Sequence, residues 1–222
     1  MKEKSIVVLE VPRYSKGEEI ANSITHGLGV ILSIAGLVVM TAFASVLGNA
    51  WHIVSISIYG TTLILLYTSS TLYHSIPLPR AKSVFRYLDH SAIFLLIAGT
   101  YTPFTLVNLR GPWGWSIFGI IWGLAVLGII SQSILIRQKS ILSVILYVGM
   151  GWVVIVGIKP LLISVAPGGL VLILIGGLLY TFGSGFYVCR RLRFHHAIWH
   201  GFVLAGSIFH FFAILFYVIP LA

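Results

Sequence analysis

After a short polar beginning, the chain settles into long runs of Ile, Leu, Val, Phe and Gly, broken at intervals by a few polar residues, glycine or proline. The runs approach or exceed the roughly 20 apolar residues that cross about 30 Å of hydrocarbon. Seven such segments are read: Ile20–Leu47, His52–Ile76, Tyr87–Leu109, Trp113–Ile136, Ile141–Lys159, Gly169–Cys189 and Ala197–Ile219. The pattern predicts an all-α, seven-transmembrane helix bundle over residues 20–222, preceded by a short arm of residues 1–19. That arm holds four basic and four acidic side chains and no apolar run long enough for a cleaved signal peptide, so the first span is expected to serve as an uncleaved signal anchor.

Composition and charge sharpen this picture. With 58% hydrophobic and 9% charged residues, the chain lies far outside the soluble range. Twelve of the fourteen Lys and Arg residues fall in the arm (Lys2, Lys4, Arg13, Lys16) and in alternate connections (Arg80, Lys82, Arg86; Arg137, Lys139; Arg190, Arg191, Arg193), and only Arg110 and Lys159 fall on the other side. The positive-inside rule therefore predicts a cytoplasmic N-terminus and a C-terminus outside. The formal charge of +9 reads as a topology signal, and basic loops this short give no reason to expect nucleic acid as a partner.

Several other features read as structural. Cys189 is expected to be a small packing residue in a reducing compartment, with no partner for a disulfide within the chain. No internal repeat is visible, which removes the simplest argument for a transporter of two similar halves. Gly119 and Gly123 in "GIIWG", with Gly176, Gly177, Gly183 and Gly185, are expected to let helices approach closely. Pro103 is expected to kink the third span and open a pocket. Trp51, Trp113 and Trp115 fit an aromatic belt at the outer interface.

The ionisable residues carry the chemistry. Of five acids, four lie in the first nineteen residues, leaving Asp89 alone in the rest of the chain. Placed by depth, His26, His74, His90, His195, His196 and His200 share one leaflet with Asp89, whereas His52 lies at the opposite end and His210 is fourteen residues beyond His196, roughly 21 Å along a helix. Ionisable groups inside a span are costly and face the bundle interior. "HAIWH" sets His196 and His200 at i and i+4 on one helical face, and "SSTLYH" sets Ser70 one turn from His74. Three imidazoles from two helices, with the fourth position left to water, form the donor set of a catalytic zinc site. Asp89 would hydrogen-bond that water or coordinate directly, and Ser70 would steady the water, a ligand imidazole or a substrate oxygen. Three other readings stay open: polar packing, a metal-free His/Asp proton relay, and haem held by His74 and one span-seven histidine. A di-iron centre is disfavoured, because it needs several Glu residues and no Glu is read within a span.

In order and spacing, "EEIANSITHGLG", "SSTLYH", "LDH" and "HAIWHGFVLAGSIFH" resemble the bacterial hemolysin III proteins of the progestin and adipoQ receptor (PAQR) superfamily. The likeness covers the chain from about Glu18 onward. It implies a zinc ion near the cytoplasmic face held by His74, His196 and His200, an acid at Asp89 and an accompanying serine at Ser70, in a protein of the bacterial plasma membrane. His26 matches a histidine recurrent in that branch. The wider group is similar to intramembrane hydrolases including alkaline ceramidases, so the resemblance implies a zinc-dependent hydrolase of a lipid amide or ester. Its rivals are a receptor or membrane-state sensor with structural zinc, and a pore-forming haemolysin. A retinal photoreceptor is disfavoured because the seventh span has no Lys.

Overall fold

A computed structural model describes residues 14–134, 140–189 and 191–219, the side chains of 133, 134 and 140 excepted. Glu3, Glu10, Lys2, Lys4, Arg13, Arg137, Lys139 and Arg190 lie outside the described residues, as does the expected end of the fourth span. The elements are α1 (Lys16–Leu47), α2 (Ala50–Ser75), α3 (Pro79–Pro103), α4 (Pro112–Ile134), α5 (Ser140–Gly151), α6 (Ile158–Ser164), α7 (Pro167–Val188) and α8 (His195–Tyr217), with no strand among the described residues. A π-helical turn, Phe104–Asn108, extends α3, and a 3₁₀ stretch, Trp152–Gly157, joins α5 to α6. Seven continuous helical stretches are long and apolar enough to cross a membrane, α5 and α6 together making the fifth.

Local sequence fixes where these helices begin. Ser15 caps α1: its Oγ accepts from the Glu18 amide at 3.3 Å while the Glu18 carboxylate accepts from the Ser15 amide at 2.9 Å, the reciprocal box that satisfies two otherwise orphaned donors. The first helix thus starts four residues before the expected Ile20. Asn49 and His52 form the same box at α2, which gives the isolated His52 a capping role. α3 and α7 open on Pro79 and Pro167, where a missing N–H costs nothing. Consequently α3 starts eight residues before the expected Tyr87, and Asp89 lies ten residues, about 15 Å, into the helix rather than at its mouth. Arg80, Lys82 and Arg86 had made that first stretch read as a loop; long basic side chains on a helix end can reach the interface. At the other end of α3, the change to a π turn directly after Pro103 agrees with the expected local break. The fifth span runs on to Ser164, five residues past the expected Lys159.

Burial is inverted relative to a soluble protein. Ile24, Ile31, Val38 and Phe182 are each about two-thirds exposed on the outside of the bundle, whereas Asn22, His26, Ser70, Asp89 and His200 are almost wholly enclosed. Lipid tails solvate apolar side chains as well as a protein core does, so polar groups are what must be gathered inside. The α2 and α3 helices are the most enclosed, and the closest packing joins α7 to α8, α2 to α3 and α1 to α2. A buried hydroxyl network crosses the middle of the bundle: Ser207 Oγ accepts from Tyr67 at 2.7 Å and lies 2.8 Å from the Tyr180 hydroxyl.

Glycines divide into two groups. A Cβ on Gly176 or Gly183 would collide with His210 or Phe202, as expected of close helix packing, but Gly119, Gly123, Gly177 and Gly185 face open space. The "GIIWG" motif therefore packs against no helix among the described residues. Cys189 is likewise exposed rather than packed. Trp51 stacks edge-on against Trp115 and carries Arg110 over its ring, an aromatic and basic cluster at the end of the bundle opposite to Lys82 and Arg86.

Candidate metal centre

Four helices converge at the basic end of the bundle. The last turn of α2 supplies His74, and the first two turns of α8 supply His196 and His200, placed one above the other by their i, i+4 spacing. Each of the three offers a ring nitrogen, and these nitrogens all lie within 4.8 Å of one another. All three side chains are buried, His200 completely. Ring centroids are 5.0 Å apart for His74 and His196, 5.1 Å for His74 and His200, and 4.5 Å for His196 and His200.

Their hydrogen bonding shows what these rings lack. Nε2 of His74, Nε2 of His196 and both nitrogens of His200 are buried without a hydrogen-bond partner. A buried unsatisfied polar atom costs about 1–3 kcal/mol, so several converging on one point call for a ligand. At the other side of the His74 ring, Nδ1–H donates to the Glu19 carboxylate at 2.6 Å. That bond leaves Nε2 of His74 as the nitrogen that carries the lone pair. The Tyr14 hydroxyl lies 3.1 Å from Nδ1 of His196, and Asn22 places its amide 3.3 Å from Nδ1 of His74. The donor set of three neutral imidazoles fits a borderline cation such as zinc.

Asp89 enters from α3, 2% exposed. It does not belong to the group of mutually close donor atoms, which speaks against direct coordination. The Ser70 hydroxyl lies next to its carboxyl group without forming a well-made hydrogen bond. His26 stacks flat on His200, ring centroids 3.5 Å apart and 12° from parallel, with both of its nitrogens bare. His90 points away, 2.8 Å from the Arg86 carbonyl and 3.3 Å from the Tyr187 hydroxyl, and His195 turns to the Phe186 carbonyl. His210 is remote, as its spacing required; its Nε2 lies 3.2 Å from the carbonyl of Ile173.

Of the five residues expected from the sequence, His74, His196 and His200 are brought together, and Asp89 and Ser70 lie next to each other. Glu19, Asn22 and Tyr14 were not anticipated, nor was an acid of the first helix expected to reach a span-two histidine. The signal was present: "SKGE" is a capping box, and a helix starting there sets Glu19, Asn22 and His26 at i, i+3 and i+7 on one face.

An apolar cavity of about 360 Å³ begins at Asp89 and His26 and runs past Leu66, Ile93 and Phe104 toward His210. The three histidines do not form part of its wall, but His26, stacked on His200, and Asp89 do. Its size falls within the range of small-molecule sites.

Comparison with known proteins completes the picture. A family model described as "Haemolysin-III related" matches residues 14–211. The protein named "Hemolysin-3" of Bacillus cereus is 51% identical over 205 residues, covering 92% of this chain and 94% of its own. The "Hemolysin-3 homolog" of Bacillus subtilis (strain 168) is 49% identical over 200 residues, 90% and 94% of the two chains. The human "Monocyte to macrophage differentiation factor" is 27% identical over 206 residues, 89% of this chain and 83% of its own. No solved structure gives a significant match.

Proposed function

This chain belongs to the Haemolysin-III related family of multi-pass membrane proteins, within the PAQR superfamily, and from that premise we propose that it is a zinc-dependent hydrolase of a lipid amide or ester. We place it in a bacterial plasma membrane, with its N-terminus and metal centre on the cytoplasmic side. The described basic residues gathered at the metal-site end, Lys82 and Arg86 among them, support that orientation, and the Bacillus relatives support the host.

One observation carries the reading: a buried triad of histidines carries unpartnered nitrogens, and the enclosed Asp89 carboxyl lines an apolar cavity together with His26, which stacks on His200 of the triad. His74, His196 and His200 would hold the ion. Zinc bound there would supply Lewis-acid polarisation of a carbonyl and would lower the pKa of water toward about 7. Asp89, outside the donor set, would take a proton at its carboxylate during attack and return it to the leaving group. The Ser70 hydroxyl, adjacent to Asp89, would orient the carbonyl oxygen. The apolar cavity would hold an acyl chain and exclude bulk water, keeping the scissile group beside Asp89.

The test separates metal from turnover. Detergent-purified wild type should contain about one zinc per chain by elemental mass spectrometry, and His196→Ala/His200→Ala should lose it while remaining folded. Asp89→Asn should keep the metal and lose about 10²–10⁴-fold in release of fatty acid from acyl lipids such as ceramides. A folded wild type that stays empty when zinc is offered refutes the metal reading. Asp89→Asn with full turnover removes Asp89 as the base.

A sensor with structural zinc has one observation in its favour, the contacts that tie α1, α2 and α8 together around the triad. It predicts zinc without fatty-acid release from any acyl lipid. The almost entirely apolar cavity wall does not suit an aqueous pore.

A further inference from the structure

The two adjacent acids at the start of α1 do different things. Glu18 caps the helix through Ser15, and its other oxygen accepts from the Phe194 amide at 3.3 Å. Glu19 makes neither contact. One of its oxygens is 2.6 Å from Nδ1 of His74, and the other is 2.7 Å from Nζ of Lys82. Lys82 is itself fixed, donating to the Tyr73 carbonyl at 2.9 Å and lying over the Tyr73 ring. Both carboxylate oxygens are therefore engaged, one by α2 and one by α3, so Glu19 cannot turn away from the histidine without breaking an ion pair.

We propose that Glu19, clamped by Lys82, is a positioning residue of the metal centre: it holds the His74 proton on Nδ1 and thereby keeps Nε2 as the lone pair offered to the ion. A neutral imidazole has two tautomers, and only one presents Nε2 as an acceptor. A carboxylate at Nδ1 selects that tautomer, fixes the ring plane and raises the basicity of the ligand nitrogen. Tyr14 serves the second ligand in the corresponding way under this proposal: its hydroxyl lies 3.1 Å from Nδ1 of His196, and with Nε2 given to the ion its oxygen would accept from Nδ1–H. His200 makes no such contact with a side chain and is stacked on His26. Tyr14 and Glu19 are in this way part of the metal centre. The inference rests on the zinc reading above.

Zinc affinity decides it, measured on the full-length detergent-solubilised protein by competition with a chromophoric chelator, with zinc alone as the probe. Glu19→Gln, which keeps shape and removes charge, should raise the zinc Kd about 10–100-fold. Glu18→Gln, which loosens the helix cap but does not touch His74, should leave it near the wild-type value. ¹⁵N spectra of histidine-labelled, metal-free protein add a readout that a structural role would not move: Nδ1–H of His74 should dominate in wild type and mix with the other tautomer in Glu19→Gln. If Glu19→Gln does not fold, Tyr14→Phe tests the same mechanism at His196, with weaker zinc binding expected. Wild-type affinity in the variant tested at either histidine, or equal weakening by Glu18→Gln, overturns the assignment. A wild type that binds no zinc overturns the zinc reading and this inference with it, whereas zinc-loaded wild type with an unaffected Glu19→Gln overturns this inference alone.

Discussion

A single methyl group at Gly29 tests how α1 is held against the site. Gly29 lies one turn beyond His26 and faces the ring of Tyr67; a Cβ there would sit 2.7 Å from both Cγ and Cε1 of that ring. Carbon contacts settle at about 3.5–4.0 Å, so the ring or the helix must retreat by roughly 1 Å. Tyr67 has little room to move: it is 1% exposed, its hydroxyl donates to Ser207 at 2.7 Å, and His26 packs edge-on against it. If α1 yields instead, it carries Glu19, Asn22 and His26 away from α2 and α8. Overpacking of this kind costs about 1–3 kcal/mol, and alanine recovers up to about 1 kcal/mol of helix propensity. Gly29→Ala should therefore lose about 1–2 kcal/mol, a factor of roughly ten in the folded-to-unfolded ratio, and bind zinc more weakly. Gly119→Ala and Gly123→Ala, with nothing within 4 Å, should be neutral or gain up to about 1 kcal/mol. Reversible unfolding in mixed detergent micelles, followed by circular dichroism, measures all three. A Gly29→Ala protein as stable as wild type, or a Gly119→Ala protein destabilised as much as Gly29→Ala, would refute the packing argument.

Other consequences can be checked alongside. Ser207→Ala removes the common partner of the Tyr67 and Tyr180 hydroxyls and should cost about 1–3 kcal/mol in the same assay; a change within 0.5 kcal/mol of zero, about the scatter of surface substitutions, would mean that the network is not holding α2, α7 and α8 together. The Tyr101 hydroxyl donates to the Gly151 carbonyl at 2.6 Å and accepts from the Val154 amide at 2.8 Å, so Tyr101→Phe should speed hydrogen exchange at Val154, and an unchanged rate would remove Tyr101 as the clasp between α3 and the 3₁₀ stretch. Chelating zinc from protein held at a hundred times its Kd should lower stability by about 2.7 kcal/mol, an effect expected to vanish in His196→Ala/His200→Ala.

Much of the site was legible because its residues are local in sequence. His196 and His200 face the same way through helical spacing alone, and depth along each span brought in His74 and Asp89. The misplaced helix starts share one cause. Basic and acidic residues at helix ends resemble loop, so α1 and α3 were read as starting late, and Glu19 was left outside the spans where it meets His74 and Lys82. The "GIIWG" spacing has the opposite fault: small residues permit close packing, but only a facing helix can use the space, and none does among the described residues.

The sequence by itself determined that this is a seven-helix membrane protein, because hydrocarbon thickness sets the length of each apolar run and unpaired backbone is not tolerated in lipid. It also determined which residue types could hold a metal and at which end of the spans they lie. Tertiary structure decided which nitrogens are left bare, that Asp89 is outside the donor set, that His26 stacks on His200, and that Glu19 and Tyr14 reach two of the three histidines. Those facts depend on how α1, α2, α3 and α8 pack side by side, and helix packing joins residues some fifty to two hundred positions apart that no local period relates.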